Sequence, residues 1–396
     1  MAALRHQWSL ESVIDFGSQG PLFANAEKRA RAVARFYDVI GHFAAIETNN
    51  PYNRAALIRL TFEYARSAES QDRFLAFFFQ SLAIGLLDGE VAYSDPGLDD
   101  AFYGVAEFLM NNFFLPCRYS HVHPLGGKPA DESPVRVSIH KTPQPSPAHH
   151  SAIRQVLSQA EQQRMDDSIG TPERISALRA SCLVRDRNRC VATHTFNQAE
   201  ALARFEEHGQ ALDDDRNPFV DGQLFESLQV AHIIPYALTK ADDGSRLGEG
   251  KKAAVAILNM FDLGVAHLIE GVDINRPYNA LTLSNWIHEN FGTYKIFFEP
   301  VSDADGAPPS TYRISTFLPP GFARSLPVVR SLFTHPSIDP PSQRLLALHC
   351  AIAHILHLSG AGGYIEQILR DMEDGIIRAD GSTELGLMVD LALRVH

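Results

Sequence analysis

Two short segments constrain this chain more than any other, Ser227 to Pro235 and Asn279 to Gly292. In the first, Leu228, Val230, His232 and Ile234 alternate with Gln229, Ala231 and Ile233. That period of two predicts a strand, which Pro235 ends because proline cannot donate to a ladder. His232 then shares a strand face with three apolar side chains. In the second segment, Ala280 to Leu283 reads as a short strand. Ser284 is placed to cap a helix over Asn285 to Phe291, and Gly292 to stop it. His288 falls one turn after Ser284. Strand, strand and helix thus bring His232, Asn279 and His288 into one compact site.

At 396 residues the chain has room for two to three domains and a sizeable core. It needs neither metal nor disulfides to fold. Hydrophobic content of 45% with 21% charged residues is ordinary for a soluble chain. The cysteines Cys117, Cys182, Cys190 and Cys350 form no Cys-x-x-Cys pair, which argues against a structural zinc ribbon and fits a reducing compartment. The start lacks a signal-peptide hydrophobic region, and no apolar run reaches the ~20 residues of a membrane span. An intracellular protein, nuclear or cytoplasmic, with no membrane partner is the expectation.

Residues 1–115 read as a helical region, with helices over Ala26 to Ile46, Asn53 to Ala65, Asp72 to Leu87 and Phe102 to Phe114. Phe74, Phe77, Phe78 and Phe79 are expected in its core. Over 116–150, prolines at 124, 129, 134, 143, 145 and 147 interrupt any periodicity, as in a linker or long surface loop ending at His149 and His150. Ser151 to Ser168 reads as a polar helix. Thr171, Pro172 and Glu173 are a helix start. Arg185, Arg187 and Arg189 follow as a basic cluster, either phosphate contacts or a solvated turn with local ion pairs. Asp213, Asp214 and Asp215 read as a solvated turn. Ala253 to Ile269 is apolar at helical spacing and expected over the strands. Tyr294 to Glu299 and Thr311 to Phe317 alternate as a β-hairpin. The tail, 319–396, is read as helical, over Ser342 to Leu358, Tyr364 to Met372 and Thr383 to Val395. His349, His354 and His357 lie on the first of these, where core or edge histidines are more expected than a metal pair.

The wording Ala231-His232-Ile233-Ile234-Pro235, then Asn279, then His288, resembles the HNH nucleases, and most the branch common in filamentous fungi. The resemblance runs from about Ala180 to Pro300. It implies a two-stranded ribbon packed on one helix around one divalent ion (Mg, Mn or Zn), acting on nucleic acid, DNA first. By that resemblance, His232 is the general base that activates water, Asn279 orients the loop that holds it, and His288 is a metal ligand. The approach through Arg185, Arg187 and Arg189 looks like the entry to the family core, whose Thr-Gly is here Thr193-His194.

Phosphodiester hydrolysis needs an activated water, neutralised phosphate charge and help for the leaving oxygen. A neutral imidazole suits the first task near pH 7. The helix start at Ser284 would add backbone N–H groups. One departure concerns the metal. Where many HNH enzymes carry an Asp or His ligand just before the base, this chain has Ala231, and His194, Asp273 and Glu289 are the replacement candidates. The formal net charge of −12 weighs against nucleic acid, since such affinity rests on Lys and Arg. The reading is therefore an α+β protein: an HNH-like ββα-metal core with an added β-hairpin, over 151–318, flanked by N- and C-terminal helical regions. A metal-dependent endonuclease is the leading function. The rivals are a catalytically degenerate HNH fold that binds nucleic acid or protein, and a structural or interaction protein.

Overall fold

The computed structural model describes residues 23, 25–48, 50–87, 89–122, 172–209, 212–235, 238, 249–301, 308 and 310–373. The helices expected at Ser151 to Ser168 and Thr383 to Val395 lie outside these residues. In chain order come α1 (Ala26–Ile46), α2 (Arg54–Glu63), α3 (Ala68–Ser81), α4 (Pro96–Leu109), a π turn (Met110–Phe114) and α5 (Leu115–Val122). Next are α6 (Pro172–Arg185), β1 (Phe196–Asn197), α7 (Gln198–His208), β2 (Phe225–Glu226), β3 (Leu228–His232) and α8 (Glu249–Phe261). The chain continues with β4 (Ala280–Ser284), α9 (Asn285–Gly292), β5 (Ile296–Pro300), β6 (Thr311–Thr316), β7 (Val328–Ser331), α10 (Gln343–Leu358) and α11 (Ala361–Glu373). This is a mixed α+β arrangement of helices and small sheets. None of the described helices is long and apolar enough to cross a membrane by itself.

Contacts divide the chain into two compact units that do not follow it linearly. One takes Met1–Tyr119, Ala237–His267 and Ala351–His396; the other takes Ser120–Tyr236 and Leu268–Cys350.

The first unit is helical. Side chains of Asn25, Asn53, Ser67 and Asp95 cap α1 to α4 by accepting hydrogen bonds from the backbone of Lys28, Ala56, Ser70 and Gly97. Each satisfies an N–H that the first helical turn leaves unpaired. Two of these starts lie upstream of the expected ones, at Ser67 and at Asp95-Pro96. Helical structure also runs past Pro116, where a linker was expected. The π turn precedes it, and Leu115 N–H bonds to Met110 O five residues back. A wider turn suits a proline that has no N–H for the usual bond. Phe74, Phe77, Phe78 and Phe79 are all buried. Phe43 and Phe102 stack with ring centroids 3.9 Å apart.

Helix α8 corrects one expectation. It packs on α3 and the π turn of this helical unit. Phe261 meets Phe113 at 5.5 Å, and Phe261 O accepts from Arg66 N at 2.7 Å.

The second unit holds the sheets. β3 and β4 pair antiparallel, with Val230 opposite Thr282 and His232 opposite Ala280. Opposed residues share a face, so His232 lies with Leu228, Val230 and Ala280, while Ala231 lies on the other face with Gln229 and Leu281. Leu178 and Cys182 of α6 join Val230 and Ala280 in one buried cluster. α9 leaves β4 directly and packs on both strands. β5 and β6 pair antiparallel, and β7 adds a third strand on β6 that the sequence reading omits. The first half of α10 completes this unit: His349 stacks on Phe291 at 3.9 Å and on Tyr294 at 4.5 Å.

A candidate nuclease site on two strands and a helix

His232 ends β3, half-buried, and its Nε2 lies 3.0 Å from Asn275 Oδ1. An amide oxygen only accepts, so Nε2 carries the proton and Nδ1 is left with the lone pair. Burial holds the imidazole below its usual pKa, and the Asn275 contact opposes that only in part. The ring is therefore neutral at pH 7. Asn275 is absent from the residues that the sequence pattern singles out. Its signal is weak, a polar residue in a turn four positions before Asn279.

Asn279 is fully buried and works as a clamp. Its Oδ1 accepts from Ile234 N at 3.0 Å, and its Nδ2 donates to Ile234 O at 3.1 Å and Ile274 O at 3.0 Å. Its backbone O also accepts from Ile233 N at 2.8 Å. One side chain thus ties the chain leaving β3 to the turn that carries Asn275.

His288 sits in the middle of α9. Desolvation, together with the neighbouring His232, pushes its pKa down to about 4. The helix that carries His288 packs on β3, the strand that His232 ends. The helix start differs from expectation. Ser284 precedes α9 but makes no capping hydrogen bond, and its Oγ is buried without a partner. Gly292 is the last helical residue rather than the stop. The chain turns at Tyr294, φ +58°, with Lys295 N donating to Asn290 O.

The three arginines part company. Arg185 is wholly buried and grips Asp186 through Nε at 2.8 Å and Nη2 at 2.9 Å. It also donates to the carbonyls of Pro277, Ala280 and Asp339. Asp186 Oδ2 in turn accepts from Thr282 N, on the edge of β4 away from β3. The expected phosphate role for Arg185 is therefore corrected. Its guanidinium is fully used inside the unit, where it holds β4 in place. Arg187 pairs with Asp215 at 2.7 Å and Arg189 with Asp213 at 2.9 Å. The acidic run expected as a solvated turn is the counter-charge to the basic cluster.

His194 occupies the position where the resembling family often has glycine, and its φ of +59° explains that preference. Of the replacement ligands, His194 has its pKa lowered by burial first and then by the nearby Arg330 and Arg189. Asp273 is paired with Arg276, and Glu289 is exposed. Among the described residues, no three His, Cys, Asp or Glu ligand atoms converge at His232 and His288.

Residues 182–299 match the HNH endonuclease family. The match begins on α6 at Cys182 and ends on β5 at Glu299, so it contains the Arg185–Asp186 pair, β3, β4, both histidines and Asn279. It covers under a third of the chain and suggests nuclease activity for this HNH segment. No curated protein and no solved structure matches the chain. HNH enzymes typically use a divalent metal ion. The donors described here do not make a complete site for one: His288 offers an imidazole, and position 231 offers a methyl group.

Proposed function

We propose that the HNH segment, of the kind common in filamentous fungi, hydrolyses phosphodiester bonds of DNA. One observation supports this reading: inside the matched segment, α9, which carries His288, packs on β3, which ends at His232, and on β4. His232 is the general base. Its Nδ1 takes a proton from the attacking water, while Nε2–H stays with Asn275. Asn275 and Asn279 are positioning residues, one fixing the tautomer and the other the loop. His288, kept neutral by burial, presents a lone pair to the reacting centre. Since the ligand set is incomplete, no step is assigned to a metal. A divalent-ion requirement is part of the proposal, and the experiment decides it. Nicking of supercoiled plasmid is compared in Mg²⁺, Mn²⁺, Zn²⁺ and EDTA, with His288→Ala beside wild type. Nicking that needs an ion and is lost in His288→Ala supports the reading. Equal nicking in EDTA contradicts the metal requirement.

Ala231 favours a second reading. A ribbon that keeps its fold but lacks a metal ligand suits a module that binds nucleic acid or protein without cutting. Oligonucleotide binding with no nicking in any ion distinguishes it.

A further inference from the structure

Trp286 lies in the first turn of α9, two residues before His288. The Arg324 guanidinium sits over its ring, 4.3 Å from the centroid. Arg324 is exposed and forms no ion pair among the described residues, unlike Arg185, Arg187 and Arg189, each of which is held by an aspartate. Its backbone is left-handed at φ +51°, a region that a side chain-bearing residue adopts only when its surroundings impose it. The imposing turn is Pro320–Phe322. Ala323 is buried beneath it, and Ala323 O accepts from Leu326 N at 3.0 Å. In the same turn Phe322 is 69% exposed. An uncommitted cation held over an indole, with a bare aromatic ring two residues away, offers the two things a nucleic-acid strand presents a need for: a charge for phosphate and a face for a base.

We propose that Arg324, braced by Trp286, binds a backbone phosphate flanking the scissile one, and that Phe322 stacks an unpaired base beside it. This rests on the nuclease reading for which bond is cut, but not for binding itself. Residues two apart on a helix point to opposite sides, so Trp286, with Arg324 over it, is directed away from the side of α9 that bears His288. The exposed ring favours a single-stranded or frayed stretch over duplex, in which bases are already stacked.

The test uses the full-length chain and a fluorescent single-stranded oligonucleotide, with anisotropy read across a salt series in EDTA. Arg324→Ala is expected to weaken binding about tenfold and to flatten the salt dependence by about 0.7 in log–log slope. Arg324→Lys is expected to keep that slope. Phe322→Ala is expected to weaken single strands at least about fivefold and duplex little. Trp8 and Trp286 are the only tryptophans, so in a Trp8→Phe background the emission reports Trp286 and should change on binding. Melting temperatures equal to wild type exclude misfolding. Affinity and slope unchanged in both Arg324→Ala and Phe322→Ala overturn the proposal, as does binding of an acidic peptide with equal affinity at the same residues. Plasmid nicking is scored separately. Binding that depends on Arg324 without nicking leaves this proposal standing and removes the nuclease reading. Nicking by Arg324→Ala at wild-type affinity does the reverse.

Discussion

At the scale of single residues, burial decides what each charge does. Arg185 and Arg187 are two positions apart and look alike in sequence. Arg185 is buried against Asp186, while Arg187 meets Asp215 at the surface. Removing one partner of a buried pair costs about 3–5 kcal/mol, and an exposed pair contributes about 0–1 kcal/mol. Arg185→Ala is therefore expected to unfold or strongly destabilise the second unit, and Arg187→Ala to leave its melting temperature nearly unchanged. Thermal denaturation of the two variants checks this, and equal, small shifts would contradict the structural role of Arg185. The same logic applies to His232. A base must be neutral to act, and burial lowers this imidazole below its ordinary ~6.5. The acidic limb of the cleavage rate should therefore fall with a midpoint below ~6.5. A pH profile of kcat/KM with a midpoint at or above that value counts against His232 as the base. Position 231 carries the third residue-scale expectation. Ala231→Asp adds a charged oxygen where the family often has a ligand and should tighten Mn²⁺ or Mg²⁺ binding. Calorimetric titration of both forms is the test, and equal affinity would place residue 231 outside the site.

At the scale of elements, the strands and helix around the candidate site were legible because their signals are local. The alternation from Leu228 to His232 and the short pattern from Ala280 to Phe291 match β3, β4 and α9 to within a residue or two. What was not legible depended on distant partners. The apolar face of α8 says that it is buried but not against what, and its partners are α3 and the π turn. Strand β7 has only four residues and exists because β6 offers it an edge. Asp186 could not be recognised as the brace of β4, since its partner Thr282 lies 96 positions away. His349 on α10 yields a prediction of its own. Its Nε2 donates to Phe291 O at 3.1 Å, and burial holds its pKa down to about 3. In the unfolded chain it titrates near 6.5. Between these values the unfolded state binds the extra proton, so stability is full above ~6.5 and declines as pH falls toward 3, by at most about 1.4 kcal/mol per pH unit. His349→Gln keeps a donor for Phe291 O but does not titrate. Urea denaturation between pH 7 and 4 should show a shallower loss for His349→Gln than for wild type. Parallel curves would mean that His349 is not buried in its neutral form.

At the scale of the whole molecule, the net charge of −12 and the HNH match pull in opposite directions. The pairing of Arg187 and Arg189 with Asp215 and Asp213 sharpens the conflict, because it neutralises the basic cluster nearest the motif. A cutting enzyme must then rely on a few well-placed groups rather than on a broad positive field, and its affinity should be modest and only weakly dependent on salt. The central claim is that His232 activates water for phosphodiester cleavage. It is tested most directly by nicking of supercoiled plasmid in Mn²⁺ or Mg²⁺ by wild type and His232→Ala, with DNA binding measured at the same salt. Loss of a general base is expected to slow cleavage by about 10²–10⁴-fold with binding nearly unchanged. Wild-type nicking no greater than that of the His232→Ala protein, in any common divalent ion, would contradict the claim.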